Sequence, residues 1–293
     1  MEPAPTGLDA ESAAEFGFGL YSARYGNIYT SRQLLQLFRE ADGAFHPADA
    51  VWEKDGRYFD ALRPSVEPGG LPSADYVREC RAYHLRQIPK IIENANVFVF
   101  TFGLSETWMH ALSGTVYPTA PGTIAGSYDP DVHRFHNLTF NDVYNDMTEF
   151  FDLAEERNPH IRFLLTVSPV PLTATASGGH VLAATAYSKS VLRAVAGQLS
   201  AERENVDYFP SYEIVTSALS RGRYFADNLR SVTATGVEMV MKIFFAAHSA
   251  PAVETDVSGH GSEPDVFGAP NIIGSDEEDE VVCEEVLLDA FSQ

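Results

Sequence analysis

Residues 97–108 read VFVFTFGLSETW. Val97 to Phe100 form a run of β-branched and aromatic side chains, the composition of a buried strand. Gly103 breaks the run, and Ser105, Glu106, Thr107 and Trp108 follow in what reads as a loop. Open α/β sheets bind their ligands just past the carboxyl ends of buried strands, where this carboxylate and these hydroxyls stand. Gly103, Ser105 and Glu106 are therefore candidate site residues. A backbone N–H at Gly103 and the Ser105 hydroxyl suit donors to an oxyanion. The same residues also suit a helix start, with Ser105 as cap and Glu106 favouring the helix dipole.

Outward from this stretch, strand and helix patterns alternate. Thr30 or Ser31 caps an amphipathic helix with Leu34, Leu35, Leu37 and Phe38 on its apolar face. Residues 44–72 are rich in Pro, Gly and aromatics and read as a long loop. A helix over 73–94 is bent or interrupted at Pro89. Residues 109–138 carry too much Pro and Gly for regular structure, and loops of that length are usually functional. Then come a helix over 139–157, a strand over 161–167, a helix over 181–202, a strand over 206–209 and a helix over 233–247. Such alternation predicts a parallel sheet with helices on its faces.

Composition narrows the function classes. The chain has 293 residues and a net charge of −21, which argues against non-specific nucleic-acid binding. Glu254 to Asp289 holds twelve acids and no Lys or Arg, so the acidity belongs mostly to the tail. The expected division is a domain over 1–248 and an acidic, largely disordered tail over 249–293, with a short terminal helix over 281–291. No apolar run approaches the ~18 residues that span a bilayer, and no signal peptide opens the chain. Two cysteines, Cys80 and Cys283, make no disulfide scaffold, so a cytoplasmic setting is the expectation. A P-loop, a G-x-G-x-x-G after a strand, H-E-x-x-H and G-x-S-x-G are all absent, and no cofactor is expected.

Chemistry is then sought at the other strand ends. Ser168 opens SPVPLTATASGGH, and His180 closes it as a candidate base; a rigid turn with a surface histidine is the plainer reading. Ser211 and Glu213 follow the strand at 206–209, where they also suit a cap. Asp227 precedes the last helix, as a triad acid would, or as a turn residue beside the cap Thr233. His133, His136, Asp129 and Asp131 are read as solvated loop side chains before a metal cluster. Arg24 and Arg193 suit an anion or pair with acids.

Six separated blocks, in order, carry a resemblance: YSARYGNIYTSRQLLQLF, FVFTFGLSETW, YPTAPG, FLLTVSPVPLTATA, YSKSVLRAVA and YFPSYEI. Over roughly residues 2–248 the chain resembles the GSCFA-domain family, which is similar to the SGNH (GDSL-like) hydrolases. The resemblance implies a three-layer α/β/α sandwich with a mainly parallel sheet. It also implies hydrolysis of, or acyl transfer from, esters of small molecules or carbohydrates. Such hydrolases use a Ser after the first strand, Gly and Asn oxyanion donors, and an Asp-x-x-His pair near the last helix. The Gly-Ser-Cys-Phe-Ala motif is absent, so the first strand and its nucleophile are expected upstream of Met1. Gly103 matches the family glycine, Ser105 stands at the Asn position, and Asp227 matches the acid. The histidine position falls at Ser231, next to Arg230, and no His lies between His180 and His248. The expected function is a hydrolase scaffold impaired in its covalent chemistry, or a non-catalytic binding protein on the same fold. A missing first strand would also leave a sheet edge open to self-association.

Overall fold

The computed structural model describes residues 24–248. The acidic tail, the short terminal helix expected over 281–291 and Cys283 lie outside the described residues. In chain order the elements are α1 (Ser31–Ala41), β1 (Val51–Lys54), β2 (Arg57–Asp60), α2 (Ala74–Leu85) and α3 (Ile88–Asn94). Next come β3 (Val97–Phe102), β4 (Glu106–His110), β5 (Val116–Tyr117), β6 (His133–Asn137) and α4 (Phe140–Arg157). The chain continues through β7 (Arg162–Val167), α5 (Val181–Glu202), β8 (Val206–Tyr208), α6 (Ser211–Thr216) and α7 (Ala234–His248).

The α/β class is observed. β3, β7 and β8 form a parallel sheet in the order β3-β7-β8, with α4 and α5 in the two crossovers. Register aligns Phe98 with Phe163, Phe100 with Leu165, Phe102 with Val167, and Val206 and Tyr208 with Phe163 and Leu165. Because strand side chains alternate between faces, these residues all share one face. That face meets the main core, to which α1, α3, α4 and α5 contribute Leu34, Phe38, Ile92, Phe150, Phe151 and Leu192. Phe151 and Phe163 pack with their rings tilted by 40° and centroids 4.3 Å apart.

The opposite face differs from the buried strand that VFVF predicts. Val97 and Val99 are 51% and 56% exposed, and Arg162 pairs with Asp207 across it at 2.8 Å. Among the described residues β3 is an edge strand of this sheet, and its apolar run is covered on one face only. The sequence run looks doubly buried because valine satisfies strand propensity whether or not a layer covers it.

Two segments expected as loops contain strands. β1 and β2 form an antiparallel hairpin in which Lys54 pairs with Arg57 across Asp55 and Gly56. Both turn residues have positive φ, +52° and +73°, as a two-residue hairpin turn of this twist requires. β4 lies between β5 and β6 in a second antiparallel sheet, so Glu106 begins a strand rather than sitting in a loop. The expected single helix over 73–94 is two helices, α2 and α3, with Pro89 in the first turn of α3.

α1 begins with a capping box between Thr30 and Gln33. A buried charge cluster joins it to the hairpin and to α2. Arg81 of α2 donates to Glu40 Oε1 at 2.8 Å and to both Asp60 oxygens at 2.9 and 3.0 Å. Arg63 Nε donates to Asp60 at 3.0 Å, and Arg24 donates to Glu67 at 2.8 Å. Burial alone would raise the Asp60 carboxyl, but Arg81 and Arg63 outweigh it and hold it down at about 2.

The exposed valines of β3 and the buried face of the parallel sheet make a paired prediction. Val99→Lys should change unfolding free energy by no more than about 0.5 kcal/mol, and Phe163→Ala should cost about 3–5 kcal/mol. Urea unfolding followed by tryptophan fluorescence reads both, and comparable losses would contradict the assignment of faces.

Candidate functional site

β3 ends at Phe102 and β4 begins at Glu106, so three residues, Gly103 to Ser105, redirect the chain from one sheet into the other. Gly103 is required by a close approach: a Cβ there would lie 3.0 Å from the Tyr29 carbonyl oxygen and 3.2 Å from its Cα. That carbonyl accepts hydrogen bonds from both Gly103 N–H and Leu104 N–H at 3.1 Å. From the other side α5 grips the turn with two consecutive residues. Lys189 Nζ donates to the Gly103 carbonyl at 2.6 Å, and Ser105 N–H donates to Ser188 Oγ at 2.9 Å. The Ser105 carbonyl accepts from Leu138 N–H at 2.8 Å.

This arrangement gives Ser105 and Glu106 distinct surroundings. Ser105 is fully buried and its hydroxyl donates to Asn137 Oδ1 at 2.7 Å. With Oδ1 occupied, Asn137 presents its amide N–H groups as donors. Asn137 is the cross-strand partner of Glu106 in the β4–β6 ladder, which puts both side chains on one face. Glu106 is 9% exposed, and Oε1 accepts from the Thr175 hydroxyl at 2.7 Å. Burial pushes its carboxyl above the usual carboxylate range, and the Thr175 hydrogen bond offsets only part of that rise.

Ser168 stands beside this turn. Its N–H donates to the Phe102 carbonyl at 2.8 Å, which extends the β3–β7 ladder by one residue. The Ser168 hydroxyl accepts from Val170 N–H at 3.2 Å within its own turn. Gly103, Ser105, Glu106 and Ser168 therefore gather at the joined carboxyl ends of β3 and β7. Asp227 is exposed on a turn closed by the Phe225–Val232 bridge. Arg230 Nη2 ties that turn to the loop after β7 by donating to the Pro171 carbonyl at 3.3 Å. His180 is exposed at the start of α5, where Nδ1 accepts from Leu182 N–H at 3.2 Å. No hydrogen bond joins it to the other candidates among the described residues.

The remaining candidates have structural partners. Ser211 donates to the Val167 carbonyl at 3.0 Å. Glu213 accepts from Arg193 and from the Tyr208 hydroxyl. His133 is buried rather than solvated, and Nδ1 accepts from Asp129 N–H at 3.1 Å. Among the described residues no three His, Cys, Asp or Glu side chains converge on a metal-sized site. None of the described helices is long and apolar enough to cross a membrane.

Lys189, Ser188, Asn137 and Thr175 were not singled out by sequence reasoning. A legible signal existed for Lys189, because it shares the apolar face of α5 with Leu192, Val195, Ala196 and Leu199. It is 1% exposed and makes no ion pair among the described residues, and burial pushes its ammonium down to about 7. Its ordinary value is 10.5, so between about 7 and 10.5 the unfolded chain holds the additional proton. Stability therefore rises with pH across that window and falls as pH drops toward 7. Against a Lys189→Met variant, the wild-type chain should gain up to about 1.4 kcal/mol per pH unit between about pH 7.5 and 9.5. Urea midpoints of both proteins across that range check the slope, and parallel profiles would contradict it.

Comparison with known proteins adds one positive finding. No curated protein matches the chain. The family model described as GSCFA family matches residues 10–244, a span that contains β3, the turn after it, both sheets and α5. With most of its length inside that match, the chain belongs to the GSCFA family.

Proposed function

We propose that this protein hydrolyses esters of small molecules or carbohydrates, with Glu106 as the group that moves the proton. One observation carries the reading. A buried carboxyl with a raised pKa sits at the carboxyl end of a parallel sheet, beside an amide donor on the facing strand. Perturbed carboxyls in such places are suited to acid–base work near neutral pH. The resemblance of the family to SGNH hydrolases supports the ester class by analogy.

The chemistry needs no serine nucleophile. Glu106 takes a proton from a water as that water's oxygen bonds to the ester carbonyl carbon. The carbonyl oxygen becomes an oxyanion and meets the Asn137 amide, which Ser105 holds in orientation. When the tetrahedral species collapses, the bond to the alcohol oxygen breaks and Glu106 returns the proton to it. Ester and water thus become carboxylic acid and alcohol. Gly103 serves the backbone of the turn, because its N–H is already given to Tyr29. Ser168, His180 and Asp227 have no part in this sequence.

A second reading, ligand binding without turnover, is favoured by a separate observation. The Gly103 N–H and the Ser105 hydroxyl are both spent within the protein, and Ser231 stands where the family resemblance expects histidine.

Steady-state hydrolysis of p-nitrophenyl acetate and of acetylated monosaccharides separates the two. The hydrolase reading expects Glu106→Gln to lower kcat/KM by at least about a hundredfold. It also expects kcat/KM to rise with pH through a value above the ordinary carboxylate range. Thr175→Val should move that inflection higher still, since the Thr175 hydrogen bond lowers it. Turnover that survives Glu106→Gln unchanged would exclude Glu106, and saturable ester binding with no turnover would favour the binding reading.

A further inference from the structure

Two small cavities flank the Arg63 side chain, and the larger is lined by Tyr29, the residue that anchors the turn after β3. It has a volume of about 30 Å³ and is walled by Asn27, Tyr29, Arg63, Ser65, Pro118 and Thr119. Tyr29 is the residue whose carbonyl anchors Gly103 and Leu104, so this wall and the site share a backbone segment.

The polar groups in that wall are unevenly satisfied. Thr119 is 8% exposed, and its buried hydroxyl has no hydrogen-bond partner among the described residues. An orphaned buried hydroxyl is costly unless something in the cavity meets it. Arg63 is 7% exposed; Nε donates to Asp60 at 3.0 Å and Nη1 to the Arg24 carbonyl at 2.8 Å. Its Nη2 makes no hydrogen bond among the described residues. Asp60 is shared between Arg63 and Arg81, and Glu40 also pairs with Arg81, so the cluster is charge-balanced and Arg63 offers the cavity its remaining N–H donor rather than an excess charge. A guanidinium and a hydroxyl donor in one enclosed wall suit a planar oxyanion. A water needs roughly 10–15 Å³ of such space, so this cavity has room for about two to three waters, a volume that suits formate or acetate and not an aromatic acid.

We propose that this cavity is a subsite for a small carboxylate of formate or acetate size, held by Arg63 and Thr119. On the ester reading, this carboxylate is the acyl product, and the cavity limits the acyl group to a short one. Its role rests on that reading, but its test does not.

The test is a titration of the full chain with sodium acetate against sodium chloride at equal ionic strength, read by thermal unfolding and by isothermal calorimetry. The wild-type protein should show a saturable rise in Tm specific to acetate, and benzoate, too large for the cavity, should give none. Thr119→Val, nearly isosteric, should fold and weaken acetate binding by roughly tenfold or more. Glu106→Gln should keep acetate affinity, so loss of turnover and loss of the subsite are read separately. A rise equal in chloride, equal in Thr119→Val, or equal for benzoate would overturn the proposal. So would the absence of any saturable response, which would leave water as the occupant. Should Thr119→Val fail to fold, the acetate–benzoate comparison on the wild-type chain decides alone.

Discussion

The turn between β3 and β4 is the constraint on which the site depends. Three residues carry the chain out of a parallel sheet and into an antiparallel one, and the turn is held from two sides. Tyr29 receives two of its N–H groups, while Lys189 and Ser188 of α5 take one carbonyl and one N–H. An ammonium buried beneath a carbonyl is an expensive way to hold a backbone, since its desolvation opposes the charge. A Leu or Met on that face of α5 would fill the core and leave the Gly103 carbonyl without this donor. The retained lysine fixes where Glu106 starts its strand, and with it the position of the carboxyl relative to Asn137.

The second sheet and the hairpin extend the same logic away from the parallel core. β4, β5 and β6 grow directly from the turn, and Thr107 donates to the Tyr117 carbonyl at 3.3 Å to bring the 117–119 segment alongside. The hairpin packs Trp52 on Tyr117, with ring centroids 5.4 Å apart. Gly126 allows this, because a Cβ there would lie 2.8 Å from the Trp52 ring. The buried guanidinium cluster then locks the hairpin to α1 and α2. These contacts bring Asn27, Tyr29, residues 63–65 and residues 118–119 into one wall, although they are far apart in sequence.

Much of the parallel core was legible before the structure. The three strands, the helices at α1, α4, α5 and α7, and a cap at Thr30 or Ser31 follow from local periodicity and capping chemistry, and the structure selects Thr30. The Asp55-Gly56 hairpin was equally legible, because that dipeptide between VWEK and RYFD is a strong turn signal, but the surrounding prolines and glycines hid it. β4 and β6 were not legible, because ETWMH and HRFHN pair across a long Pro- and Gly-rich span and neither run is strongly apolar. At the site, Gly103, Ser105, Glu106 and Ser168 could be gathered from their places at strand ends. His180 and Asp227 could not be placed, since order along the chain does not say which way a loop returns.

The central claim is that Glu106 is a buried carboxyl tuned upward for proton transfer. The most direct measurement is a side-chain carboxyl NMR titration of the glutamate-labelled chain, with Glu106→Gln used to assign the resonance. The account predicts that Glu106 titrates clearly above its ordinary value of 4.5. A Glu106 resonance that titrates at or below that value would contradict it.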